Sequence, residues 1–327
     1  MRKVILRQPG HFTETHVPRE SVRPGEALVR IHRIGVCGSD LHAFAGRHPA
    51  YSYPRVIGHE LSCEVIAVPE NESRLRTGDF CAIDSFLTCG ACIACLKGRG
   101  NCCENLQYLG IHLDGGMQGF LSVPIDKLHR SEKLTLDQLA LIEPLGVGAN
   151  AVLRGNLQKD EELLVVGAGP LGLASVQFAK AIGAQVRVLE LREERREIVT
   201  KLGVEVIAKP DGRFASVVID ATGSRPAMEQ SFSYVAPGGR LVFVGLVQGQ
   251  VAFEDWLFHK REMTVLASRA SLNLFPRIIR MIEDGQIDPS VWITDRMGLA
   301  DVPSHFQGLP DRPGLVKAMV EVSESDL

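Results

Sequence analysis

The stretch Gly167-Ala168-Gly169-Pro170-Leu171-Gly172 most narrows what this chain can fold into. It follows the apolar run Leu163-Leu164-Val165-Val166 and opens an amphipathic stretch from Leu173 to Ile182. That order predicts a strand, a glycine turn and a helix. The first glycine permits the tight turn, the second lets backbone approach a pyrophosphate, and the third lets helix and strand pack closely. N–H groups at the helix start, together with its dipole, favour negative phosphates. Glu190 stands at the end of the next predicted strand, Gln185 to Leu189, where a carboxylate can accept hydrogen bonds from a ribose. With that context the turn reads as a dinucleotide site rather than a purely structural bend.

A chain of 327 residues exceeds one ordinary core and is expected to form two domains. It is 45% hydrophobic and 23% charged with a formal net charge of -3, a globular composition without the basic excess of nucleic-acid or anionic-membrane binders. Met1 to Gly10 carries Arg2, Lys3 and Arg7 and lacks the apolar core of a signal peptide; no later run reaches membrane-spanning length. A cytoplasmic location is expected. All eight cysteines lie between Cys37 and Cys103. In a chain of this size without a secretion signal, such clustering reads as metal ligation rather than disulfides.

Residues 1 to about 130 show short apolar runs broken by glycine and proline, among them Val4-Ile5-Leu6 and Ala27 to Ile31, and predict a β-rich, barrel-like domain. Thr135 to Ile142 reads as a helix leading into Glu143-Pro144-Leu145. From about residue 150, strands and helices alternate. Predicted strands are Leu163–Val166, Val186–Leu189, Val217–Asp220, Arg240–Gly245 and Met263–Ala267; predicted helices are Leu171–Ile182, Arg192–Leu202 and Pro226–Val235. This rhythm predicts a doubly wound parallel sheet. A helix from Phe275 to Asp284 and short mixed elements complete the chain.

Cys89, Cys92, Cys95 and Cys103, spaced C-x2-C-x2-C-x7-C, are the strongest metal signal. Four thiolates on one short loop close a tetrahedral zinc site with no position open to substrate. Cys102 beside Cys103 leaves the register of the fourth ligand open. Cys37, in Gly35-Val36-Cys37-Gly38-Ser39-Asp40-Leu41-His42, and His59, in Gly58-His59-Glu60, suggest a second metal site.

With these segments, Glu143-Pro144-Leu145, the glycine turn, and Ser268-Arg269 ahead of Asn273-x-Phe275-Pro276, the chain resembles zinc-dependent medium-chain alcohol dehydrogenases. It is most similar to the branch of sorbitol and threonine dehydrogenases, over nearly its whole length. The resemblance implies an α/β fold: a GroES-like β-rich catalytic domain at 1–148 and 269–327, enclosing a Rossmann domain at 149–268. Cys37 and His59 would hold a catalytic zinc, with Glu60 as third ligand. No cysteine follows Cys103, and Glu143 stands where some relatives carry a second thiolate, so either glutamate can ligate, or Glu143 can hold a water. Asp40 would orient the histidine ligand. Ser39 matches a hydroxyl that hydrogen-bonds the substrate oxygen, and His42 the outer position of a proton relay.

The implied reaction is reversible hydride transfer between a secondary alcohol (a polyol, sugar or sugar acid) and a nicotinamide, with zinc as Lewis acid. Two zinc ions per chain are expected. Gly167, Gly169, Pro170, Leu171, Gly172 and Glu190 would hold the cofactor. NAD is favoured over NADP because Glu190 repels a 2′-phosphate, although Arg192 and Arg195 just downstream could cradle one. Arg269 matches an arginine near substrate and cofactor in polyol dehydrogenases. A homodimer or homotetramer follows by resemblance. The alternatives are a zinc- and nucleotide-binding sensor without turnover, and a dehydrogenase of a hydroxy amino acid or simple alcohol. A zinc-free quinone reductase would have no use for the cysteines, and a nucleic-acid-binding zinc ribbon lacks its basic stripe. Two departures stand out: Cys63 occupies a position normally glycine, and the loop from Pro69 to Gly78 is short for the family. Cys63 is expected either to alter the local backbone or to pack as a small hydrophobe.

Overall fold

The computed structural model describes residues 1–19 and 21–327. Two compact units emerge, one of Met1–Glu143, Phe275–Glu283 and Ile293–Leu327, the other of Pro144–Leu274 and Asp284–Trp292. No helix among the described residues is long and apolar enough to cross a membrane.

The first unit is β-rich. Its seven-stranded sheet is organised on the long strand Glu26–Gly35, which pairs antiparallel with Glu60–Ala67, Phe120–Pro124 and Lys317–Glu321. Beyond Glu60–Ala67 lie Phe80–Ile83 and Leu128–Arg130; beyond Lys317–Glu321 lies the parallel strand Ile293–Gly298. A separate hairpin joins Arg2–Gln8 to His11–His16. Val29, Ile31, Leu61, Val65 and Ile83 are fully buried in one core cluster. The register then brings three distant segments together: Gly35 lies opposite both Glu60 and Met319. Cys37 follows directly, as the N-cap of the helix Gly38–Phe44.

Cys63 sits inside the strand Glu60–Ala67, fully buried and paired in register with Cys81. It packs with the core cluster, and its backbone does not take the left-handed region that would demand glycine. Burial pushes both thiols up, Cys81 to about 12, so the pair behaves as two small hydrophobes.

The second unit holds a six-stranded, wholly parallel sheet. Its order is Glu205–Ile207, Gln185–Leu189, Glu162–Val166, Ala215–Asp220, Val235–Phe243, Thr264–Ala267. The predicted strands are all present, most within two residues of their expected ends, although the one expected at Arg240–Gly245 starts earlier, at Val235. The three-residue edge strand Glu205–Ile207 is additional, too short to leave a periodic signal. Several helices differ from expectation: the one expected over Pro226–Val235 runs Arg225–Ser231, with Val235 already in the next strand, and Asp255–Lys260 is additional. Leu136–Ala140 stops early, and a new helix runs Ile142–Arg154 straight through Pro144. Proline is tolerated there because first-turn N–H groups have no helical acceptor to lose.

The connection from Ile207 to Ala215 is unusual. Parallel strands are ordinarily joined by a dozen or more residues, mostly helical. Here residues 208–214 alone cross the flanks of two intervening strands, with no helix. Arg187, buried on the strand Gln185–Leu189, clasps this strap: Nη1 donates to both carboxylate oxygens of Asp211 at 3.1 and 3.0 Å, and Nη2 donates to the Phe214 carbonyl at 3.2 Å. Arg213 ties Asp211 to Glu205. A cavity of about 150 Å³ borders the strap, lined in part by Leu164, Leu189, Ile207 and Tyr234.

Candidate metal centres and dinucleotide site

The four expected sulfurs converge. Cys92 and Cys95 lie 3.5 Å apart, Cys92 and Cys103 3.8 Å, and Cys103 and Cys89 3.4 Å. A tetrahedron with metal–sulfur bonds of about 2.3 Å has edges of about 3.8 Å, so these spacings suit one zinc ion and are far too long for disulfides. Cys103, not the exposed Cys102, completes the group. Backbone N–H groups of Ala91 and Cys92 pull the Cys89 thiol down to about 6, whereas desolvation and the neighbouring sulfurs push Cys95 up to about 12. Four thiolates this close repel one another, and a divalent cation relieves that repulsion.

In the second group His59 and Glu60 are buried and Cys37 is partly buried. Ligand atoms of Cys37, His59 and Glu60 all lie within 4.8 Å of one another. His59 Nδ1 has no hydrogen-bond partner and lies 3.8 Å from Asp40 Oδ1, so Nε2 is the nitrogen left for a metal. Burial opposes a charge on His59, yet Asp40 and Cys37 outweigh it and push the imidazole well above its ordinary pKa. The negative groups that stabilise a proton there equally stabilise a cation in its place. On this chemistry the donor set fits zinc.

Glu143 lies outside the three-residue group. It sits in the first turn of Ile142–Arg154, buried, and desolvation with Glu60 nearby pushes its carboxyl up to about 7. Ser39 and His42 both fall on the helix that Cys37 caps, His42 exposed and Ser39 partly buried. The structure adds two residues that the sequence reading missed. Lys317, fully buried, donates from Nζ to both Glu60 oxygens at 2.6 Å and to the Val36 carbonyl at 3.1 Å. Burial works against its charge, but Glu60 and Cys37 outweigh that and raise its pKa. Gly35 makes room for this pair: a methyl group on it would collide with Glu60 Oε2. No motif flags either residue, because their roles depend on strand register.

In the second unit the glycine turn has the expected geometry. Gly167 has φ +95°, and Gly169 caps the helix Pro170–Ile182, with Pro170 at its first position and Leu171 next. A methyl group on Gly172 would strike the Gly167 carbonyl, so only glycine lets the helix close on the turn. Glu190 is buried against this turn, accepting from Ala168 N and Arg192 N at 2.8 Å each. The Arg195 guanidinium lies near Gly169, and desolvation lowers its pKa. Arg269 follows the strand Thr264–Ala267, exposed, its carbonyl accepting from Asn150 Nδ2 at 3.2 Å.

Residues 23–133 match the family model of the alcohol dehydrogenase GroES-like domain, and residues 170–284 that of zinc-binding dehydrogenases. The chain is 37% identical over 323 residues to L-galactonate-5-dehydrogenase of Escherichia coli K12, covering 94% of both chains. It is 30% identical to 2-dehydro-3-deoxy-L-galactonate 5-dehydrogenase of Pseudoalteromonas atlantica, covering 91% of this chain and 92% of that one. Among solved structures, an alcohol dehydrogenase from Escherichia coli CFT073 complexed with NADH superposes with a TM-score of 0.92 at 27% identity, covering 98% and 99% of the two chains. This chain belongs to the zinc-dependent alcohol dehydrogenase family, with a GroES-like β-rich domain and a Rossmann domain. It is a nicotinamide-dependent dehydrogenase.

Proposed function

We propose that this chain reversibly oxidises a secondary hydroxyl of a sugar acid or related polyol, with NAD as hydride acceptor and two zinc ions per chain. The observation that carries the reading is the convergence of the partly buried Cys37 with the buried His59 and Glu60, backed by Asp40 and Lys317. Its similarity to two galactonate-type dehydrogenases supports the sugar-acid class. When bound, zinc polarises the substrate hydroxyl as a Lewis acid and the nicotinamide accepts hydride. Cys37 and His59 hold the metal, and Asp40 orients His59. Lys317 neutralises Glu60, leaving it either parked or free to turn toward the metal. Ser39 would hydrogen-bond the substrate oxygen and relay its proton, accepting one as it releases its own, and the exposed His42, reached through the cofactor ribose, would pass it toward water. Glu190 supports NAD: a buried carboxylate already bound to the glycine turn meets ribose hydroxyls well and a 2′-phosphate poorly. Arg195 and Arg269 complete the cofactor contacts. The Cys89–Cys103 loop takes the second, structural zinc. A homodimer or homotetramer working in the cytoplasm is part of this reading, checked by sedimentation and fractionation.

The test is a turnover screen over aldonates, polyols, hydroxy amino acids and simple alcohols with both cofactors, alongside metal analysis. Highest kcat/KM on an aldonate or polyol with NAD, and two zinc ions, is the expected result. One zinc or none would sink the catalytic-zinc reading, and full zinc with no turnover on any alcohol would favour a sensor.

A further inference from the structure

Asp40 faces three partners at the metal group, and the third has no role in the reaction described above. The carboxylate is fully buried. Oδ2 accepts the Cys37 N–H at 3.0 Å, and Oδ1, 3.8 Å from His59 Nδ1, accepts the Tyr51 hydroxyl at 3.1 Å. One oxygen therefore answers to a metal ligand's backbone and the other is shared between Tyr51 and a metal ligand's ring. A carboxylate held at one oxygen can still swing the other; the Tyr51 hydrogen bond removes that freedom. Tyr51 is itself fixed, buried with its ring edge-on to His48 at 4.9 Å between centroids. The hydroxyl is thus a preset donor aimed at the one oxygen that faces His59.

We propose that Tyr51 is a positioning residue for the metal centre: its hydroxyl fixes Asp40 Oδ1, and through it the ring orientation and tautomer of His59. The inference rests on the reading that Cys37 and His59 hold zinc. Tyr51 also lies beside the Ser39 side chain, so zinc affinity and spectrum rather than turnover are the readouts, and at the metal centre Tyr51 is predicted to act through Asp40. Mutation of groups that orient metal ligands typically costs 10–100-fold in affinity; a residue one step further out should cost less.

The test compares the wild type, Tyr51→Phe, Asp40→Asn and the double variant, each fully loaded with zinc. Phenylalanine keeps the ring against His48 and removes only the hydroxyl. Release of each zinc to a competing chelator is followed, with the four-cysteine zinc as internal control. The visible spectrum of Co2+ placed at the Cys37–His59 site is recorded in parallel. Tyr51→Phe should weaken zinc at that site by roughly threefold to tenfold, less than Asp40→Asn does, leave the other zinc unchanged and shift the Co2+ bands. In the Asp40→Asn background the same substitution should have no further effect. Wild-type affinity and spectrum in Tyr51→Phe, or a full additional loss in the double variant, would overturn the inference. Should Asp40→Asn not fold, the Co2+ spectrum of Tyr51→Phe decides alone. A wild type without zinc at Cys37 and His59 would instead overturn the reading of the site on which the inference rests.

Discussion

The four sulfurs of residues 89–103 come from one continuous loop, partly open to solvent, and the surrounding chain supplies them with little beyond backbone N–H groups. Cys37, His59 and Glu60 are gathered from two strand ends, His59 and Glu60 buried and Cys37 partly so, and surrounded by charges of the protein's own. Asp40 faces His59, and Lys317, 257 residues along the chain from Glu60, neutralises that carboxylate. The loop thus depends on a cation to relieve its repulsion, whereas the buried group carries a built-in countercharge and should keep its shape without metal. A site that must bind substrate at an open position benefits from geometry that the metal does not have to create.

That contrast can be broken in several places. Cys37→Ser should remove one zinc and lower turnover about a thousandfold or more, as expected when several kcal/mol of Lewis-acid stabilisation are lost, with the loop zinc intact. Activity within tenfold of wild type would place the chemistry elsewhere. Lys317→Met should destabilise the zinc-free protein by about 3–5 kcal/mol in urea unfolding, because Glu60 is left buried without a countercharge. Added Zn2+ should restore part of that loss if Glu60 can turn to the metal; equal loss with and without Zn2+ would show Glu60 permanently parked. Cys103→Ser should act locally, raising tryptic cleavage after Lys97 or Arg99 by about tenfold, as a local opening roughly 1.4 kcal/mol easier would do. Unfolding of the whole β-rich unit instead would erase the distinction between the two sites.

The smallest effect tests a charged contact far from both. Although desolvation works the other way, Arg213 and Arg187 hold the Asp211 carboxyl down at about 2. A carboxylate whose pKa is depressed on folding contributes stability above its unfolded pKa near 4, and loses it as pH falls toward 2. The strap's protection against hydrogen exchange should decline over that window, and Asp211→Asn should flatten the decline.

Local chemistry was legible in the sequence: the glycine turn, the cysteine loop and the strand rhythm each occupy a short stretch whose meaning needs no partner. Cys37, His59 and Glu60 could be picked out because short flanking segments mark them. Lys317, Tyr51 and Gly35 could not. Lys317 reads as an ordinary strand lysine until register sets its strand beside Gly35, and Gly35 reads as a turn residue until Glu60 is placed opposite it. The helix Ile142–Arg154 was not expected either, and its proline at residue 144 is harmless because it falls in the first turn.

The strap 208–214 has a mechanical consequence. In the strand order, Ile207 and Ala215 are separated by three strand spacings, about 14 Å, and by about five residues of strand length, about 16 Å, or about 22 Å along the diagonal. The eight Cα–Cα steps between them reach at most about 28 Å. The strap is therefore a nearly taut tether drawn across the sheet. Removing two residues would leave too little chain to close, whereas adding some would merely slacken it. The edge of the parallel sheet is held to its centre by the length of the covalent chain as much as by any contact.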